Sequence, residues 1–258
     1  MRLIYLFASS LILSVTLFSN TKSYAYEAPF AKQTPLIDGI DNDPAWQLAK
    51  WKNIDKLTLG DMPSESDFSG RFKVVWTKYR IYLLAEIVDD VLFDSHPNPL
   101  DSYWDDDALE IFIDEDKSGG NHQFNYNAFA YHIALDNQSI DIGPPLADKP
   151  NEVNFRTYND HITSKWQRSA NSPHKIIWEV AISVYGDDYK DSYAPGEKVA
   201  KPKILNAGKV LGFMVAYCDN DGSEHREHFL SSEDIAPVNG DKNRGYIDAS
   251  VFGELKLK

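Results

Sequence analysis

The chain has 258 residues, with 26 Lys plus Arg against 39 Asp plus Glu, a formal net charge of −13 and 13% aromatic residues. An acidic excess of that size repels phosphate backbones, which excludes nucleic-acid binding through a basic patch as the main function. A single Cys excludes an internal disulfide and Cys-rich zinc or iron–sulfur sites, so the fold has to rest on its core.

Residues 1–25 read as a signal peptide. Arg2 supplies a positive start, residues 3–18 are largely apolar, and Ser23 and Ala25 place small side chains where a peptidase cuts. The apolar run is about 16 residues, short of the about 20 that a spanning helix needs. Cleavage after Ala25 removes two cations, Arg2 and Lys22, and no acid. The expected product is a single domain over residues 26–258, exported to the periplasm or beyond the cell, with no membrane span and no attached catalytic domain.

From there the pattern alternates with period two, the signature of strands with one face in a core. Phe72, Val74 and Trp76 point one way, residues 77–80 turn, and Ile81, Leu83, Ala85 and Ile87 return as the second arm of a hairpin. Leu109, Ile111 and Ile113 alternate with Glu110, Phe112 and Asp114, before a loop over 117–121. Residues 124–135 alternate again, with Asn125 and Asn127 on one side. Further strands are expected over 161–168, 175–184, 210–218, 224–230 and 252–257, with long loops over 142–151 and 185–209. Strands this dense, without useful helical periodicity, predict an all-β protein: an antiparallel two-sheet sandwich of the jelly-roll type in a single domain.

Four segments in order carry a family likeness. They are Ile37-Asp38-Gly39 followed by Asp43-Pro44-Ala45-Trp46; WTKYRIYLLAEIVD from Trp76 to Asp89; WDDDALEIFID from Trp104 to Asp114; and GYIDASVFGELKL from Gly245 to Leu257. Together they resemble the carbohydrate-binding module family 9 domains and their DOMON-like relatives. The resemblance implies a non-catalytic domain that sandwiches a mono-, oligo- or polysaccharide between two aromatic rings. Matched residue by residue, the rings fall on Trp104 and Tyr246, where a sugar-binding member has Trp. Polar contacts fall on Glu110, Arg226 and Asn243, and a second Arg of the pattern falls on Asn125, with Asn127 nearby. The chemistry fits a pyranose, whose apolar C–H faces suit flat rings and whose hydroxyl rim suits carboxylate, amide and guanidinium groups.

Asp105, Asp106 and Asp107 allow either solvated loop acids or a cation site. Calcium takes carboxylate oxygens, and the family often carries structural calcium, so Asp89, Asp107, Asp219 and Asp221 are candidate ligands. Glycoside hydrolysis needs two carboxylates flanking a bond, which adjacency in sequence does not supply. His225 and His228 would face opposite sides of a strand, so they are not expected to converge on a metal. Cys218 reads as a buried thiol in an alternating strand. The alternative to sugar binding is a haem-binding redox module of the DOMON type. With no Cys-x-x-Cys-His motif it would have to hold haem non-covalently, and beyond residue 25 only Met62 and Met214 could serve as thioether ligands. A scaffold that has kept the sandwich and lost the ligand is a third possibility.

Overall fold

The computed structural model describes residues 25–258; the signal peptide expected over 1–25 lies outside them except for Ala25. The strands in chain order are β1 (Tyr26–Ala28), β2 (Lys52–Ile54), β3 (Lys56–Gly60), β4 (Phe68–Trp76), β5 (Ile81–Asp89), β6 (Ala108–Asp114) and β7 (Phe129–Ala134), then β8 (Ser139–Gly143), β9 (Asn154–Thr157), β10 (Ile162–Arg168), β11 (Lys175–Ile182), β12 (Val210–Asp219), β13 (His228–Ser231) and β14 (Gly253–Leu257). One sheet runs β1-β14-β12-β6-β7-β8-β9, with β13 joining β12 to β3. The other runs β10-β11-β5-β4-β2. Pairing is antiparallel except for β1, which lies parallel to β14.

The expected hairpin is β4–β5, with Val74 opposite Leu83, Phe72 opposite Ala85, and Thr77 N–H donating to the Arg80 carbonyl at the turn. Its inward side chains meet Leu109, Ile111 and Ile113 of β6 and Phe213, Val215 and Tyr217 of β12 in one core between the sheets. Alternation thus assigns the core faces, because successive side chains leave a strand on opposite sides.

The outer faces are not simply solvated. Over the second sheet, Trp46 packs with Val75, Tyr82, Leu84 and Ala181. This layer is anchored by Glu179 of β11, a fully buried carboxylate that accepts from the Asp38 and Gly39 N–H groups and the Trp46 indole, each at 2.9 Å. Burial raises the Glu179 pKa, and these three bonds work against that rise. Gly39 sits at φ +82°, where an added Cβ would lie 2.8 Å from the Trp166 backbone, so only glycine fits the clamp. Over the first sheet, Phe112, Met214, Ala216 and Cys218 form a second apolar layer with Phe252 and Ile235. All seven residues of β6 are therefore buried, including those read as outward.

Two expected strands are shortened. The segment read over 124–135 becomes a strand only at Phe129, and that over 224–230 only at His228. Residues 124–128 alternate in composition, yet Asn125 and Asn127 bond to nearby loop backbone, a local option that competes with a ladder. The short strands β1, β2, β3, β8 and β9 carry too few residues to show a period.

Candidate functional site

A cavity of about 300 Å³ opens on the outer face of the first sheet. Its floor comes from Glu110 of β6 and Ala130 and His132 of β7; Asp141 and Ile142 of β8 and Phe155 of β9 close one side. Tyr103 and Trp104 enter from a short 3₁₀ turn, Tyr103–Asp105. Arg226, Asn243 and Tyr246 enter from the loops before and after β13. Gly245 lets the last loop lie flat on the sheet: an added Cβ would sit 2.8 Å from both Met214 and Phe112. His122 donates from Nε2 to the Gly245 carbonyl at 2.8 Å and pins it there.

The floor is a charge network. Glu110 lies opposite His132 across the β6–β7 ladder, with Oε1 3.2 Å from His132 Nδ1 and 3.2 Å from Cys218 Sγ. Arg226 reaches over it, with Nη1 3.0 Å from Cys218 Sγ and 3.7 Å from Glu110, and its guanidinium 4.3 Å above the Phe229 ring. Burial pushes the Glu110 pKa up, but His132 and Arg226 outweigh it and hold the carboxyl below its ordinary range. Burial, with the Glu110 charge beside it, drives the Cys218 thiol well above its usual value. Asp141 accepts from the Ala130 and Ile142 N–H groups, yet burial and Glu110 still raise it to about 7. His132 Nε2 is buried without a protein partner.

The walls are aromatic. Trp104 and Tyr246 stay 36% and 38% exposed, so each offers ring surface to an incoming molecule. Trp104 is braced by Tyr103 at 5.2 Å and Phe155 at 5.7 Å between ring centroids. Neutral rim hydroxyls and apolar ring faces are what such a lining can satisfy together.

Behind the Trp104 turn, Asp89 at the end of β5, Asp107 before β6 and Asp219 at the end of β12 bring one carboxylate oxygen each within 4.8 Å of one another. All three are buried. Burial above all raises Asp89 to about 6, Asp107 to about 9 and Asp219 to about 8, and the Asp89 charge adds to the rise at the other two. Tyr217 donates to Asp89 at 2.6 Å, and Asp107 accepts from the Phe93 and Asn220 N–H groups. Asp89 Oδ1 and Asp219 Oδ1 have no protein partner. Convergent buried oxygens with open lone pairs fit a hard divalent cation.

Residues 37–258 match the family model described as carbohydrate family 9 binding domain-like. The chain belongs to this family. It is 32% identical over 224 residues to endo-1,4-beta-xylanase A of Thermotoga neapolitana, covering 87% of this chain and 17% of that enzyme. In fold it is similar to a carbohydrate binding module family 9 from Caldicellulosiruptor kristjanssonii, solved with cellotriose and with glucose. Both comparisons give a TM-score of 0.61 at 20% identity over 90% of this chain, and they cover 92% and 95% of the solved chains. The chain thus spans a small part of its curated relative and nearly the whole of these solved family 9 modules.

Of the seven candidate residues, Trp104, Glu110, Arg226, Asn243 and Tyr246 line one cavity. Asn125 and Asn127 do not line it; their amides donate to the Asn121 and Gly119 carbonyls. The position facing Glu110 on the next strand is His132. Tyr103, His132, Asp141 and Phe155 escaped the sequence reading, because strand pairing brings them to the cavity. The one local hint was Tyr103, beside Trp104.

Of the four candidate cation ligands, Asp89, Asp107 and Asp219 converge, whereas Asp221 groups with Asp67 and Asp90 on the surface. The three consecutive aspartates are buried staples: Asp105 holds Arg226 N–H, Asp106 holds Ser95 and His96, and Asp107 holds Phe93 and Asn220. His225 and His228 go to separate partners, Asp105 and the Asp61 carbonyl. Met214 is buried under the Gly245 loop and Met62 is exposed after β3, so neither lines the cavity and haem binding is not favoured.

Proposed function

We propose that the protein is a non-catalytic carbohydrate-binding domain whose cavity takes the end of a sugar chain. The observation that carries this reading is the joining, in one 300 Å³ cavity, of two exposed aromatic walls to a charged, hydrogen-bonding floor. Trp104 and Tyr246 would cover the C–H faces, while Glu110, Arg226 and Asn243 would meet hydroxyls. A charge-assisted bond contributes about 1.5–3 kcal/mol and a stacked ring about 1 kcal/mol, so a few of each give roughly micromolar to millimolar affinity after ordering costs. Family membership and the sugar complexes of similar modules support the same ligand class. Glu110 is committed to His132, Cys218 and Arg226 and kept ionised, which suits a hydrogen-bond acceptor better than a general acid.

The domain would be exported after cleavage near Ala25 and serve beside polysaccharide-degrading enzymes. Asp89, Asp107 and Asp219 would hold a structural calcium at the junction of the two sheets. Calorimetric titration with glucose, cellobiose and xylobiose tests the sugar reading. Millimolar or tighter binding that weakens about five- to tenfold in Trp104→Ala supports it; no heat with any of the three, or binding unchanged in the variant, overturns it.

A further inference from the structure

The acidic cluster lies next in sequence to the turn that carries one wall of the cavity. The turn that carries Trp104 ends at Asp105, and two residues later Asp107 enters the cluster. Asn220, next to Asp219, ties the two sites together. Its N–H donates to Asp107 Oδ1 at 2.8 Å, and its Nδ2 donates to the Asp105 carbonyl at 2.6 Å and to the Ser223 carbonyl at 3.1 Å. Its Oδ1 accepts from the Gly222 and Ser223 N–H groups and closes that loop. Arg226 then leaves the loop with its own N–H on Asp105 Oδ1 at 3.2 Å. Asn220 is 1% exposed, and its bonds to Asp107 and Asp105 are made away from water.

We propose that a divalent cation at Asp89, Asp107 and Asp219 tightens sugar binding in the adjacent cavity, with Asn220 as the positioning residue that transmits it. The proposal rests on both the sugar and the cation readings given above. Asp89 and Asp219 belong to strands held in ladders, whereas Asp107 follows an irregular segment, residues 90–107, in which Ser102 adopts φ +44°. Asp107 is therefore the one ligand of the three outside a strand, and a cation drawing the three side chains together fixes it. Asp107 and Asn220 move as a pair because they share a buried hydrogen bond, and Asn220 sets Asp105. Asp105 in turn neighbours Trp104 and holds the Arg226 backbone. A shift of 0.5–1 Å at a stacking ring forfeits about a quarter to a half of its contact energy, so a small displacement of this turn is felt by the ligand.

Coupling of this kind is reciprocal: whatever factor the cation adds to sugar affinity, the sugar adds to cation affinity. The test titrates the purified protein with cellobiose in saturating calcium and after chelator dialysis, then titrates calcium with and without saturating cellobiose. The expected result is cellobiose affinity at least about fivefold weaker without calcium, and calcium affinity stronger by the same factor with cellobiose. Asn220→Ala, which keeps all three carboxylates, should still bind both and bring that factor close to one, with near-ultraviolet circular dichroism confirming its fold. Equal cellobiose affinity with and without calcium, in a protein that binds both, overturns the proposal. Absence of calcium binding overturns the cation reading and this coupling with it. Absence of cellobiose binding in either state instead overturns the sugar reading on which the coupling rests.

Discussion

Trp104 and Glu110 act at the cavity in different ways, and their removal separates the two. Trp104→Ala takes away a stacking wall braced by Tyr103 and Phe155, and sugar affinity is expected to fall about five- to tenfold in calorimetric titration. Glu110→Gln keeps the shape but removes the charge that Arg226 and His132 engage. Its expected loss is larger, about 10- to 100-fold, because a charge-assisted bond is lost and Arg226 is left buried without its carboxylate. Asn125→Ala and Asn127→Ala should leave affinity within about twofold, since their amides serve the 119–127 loop backbone. The same loop explains why the alternation over residues 124–128 does not give a strand: a short alternation of polar and apolar residues looks alike whether the side chains stand on a pleat or fold back onto nearby carbonyls.

At the scale of elements, the molecule uses buried carboxylates as staples between segments far apart in sequence. Glu179 fastens the Ile37–Trp46 region to β11 through three bonds, so the opening motif serves the second sheet and has no part in the cavity. Glu179→Gln turns an acceptor toward three donors into an amide, and is expected to cost about 3 kcal/mol in denaturant unfolding. Under the proposed cation reading, the Asp89–Asp107–Asp219 cluster would fasten β5, the residue before β6 and β12 in the same way, with a cation in place of N–H groups. Calcium at 100 times its dissociation constant should stabilise the domain by about 2.7 kcal/mol. That corresponds to a melting temperature roughly 5–10 °C higher than in chelator, read by circular dichroism; equal melting in both would exclude a bound cation.

Across the whole molecule, stability depends on pH through groups that no motif marks. His161 is fully buried beside Tyr131, with its Nδ1 2.7 Å from the phenol oxygen and its ring stacked on Tyr185 at 4.1 Å. Burial lowers its pKa to about 4, against 6.5 ordinarily, so the unfolded chain takes up its proton first. Its contribution is therefore complete above about pH 6.5 and is lost as pH falls through that value to about 4, a swing of about 3 kcal/mol. Thermal melts at pH 7, 5.5 and 4 should show the wild type losing its advantage over His161→Gln across that window. A constant gap between the two proteins would count against the assignment.

The sequence by itself determined the all-β class, the core faces of β4, β5, β6 and β12, and five residues of the cavity. A strand's side-chain period is local, and the motif at Trp104 to Asp114 carries wall and floor on one contiguous stretch. It also supplied the acidic excess, part of which the fold gathers at Asp89, Asp107 and Asp219. Only the tertiary structure decided that His132 faces Glu110, that Asp141 and Phe155 close the cavity, that Cys218 lies buried against Glu110 and Arg226 beneath its floor, and that Asp221 stands apart from the other three acids. Those facts depend on pairing register and loop closure between segments tens of residues apart. Hydrogen bonds such as Asn220 to Asp105 set that geometry, and no spacing along the chain records it.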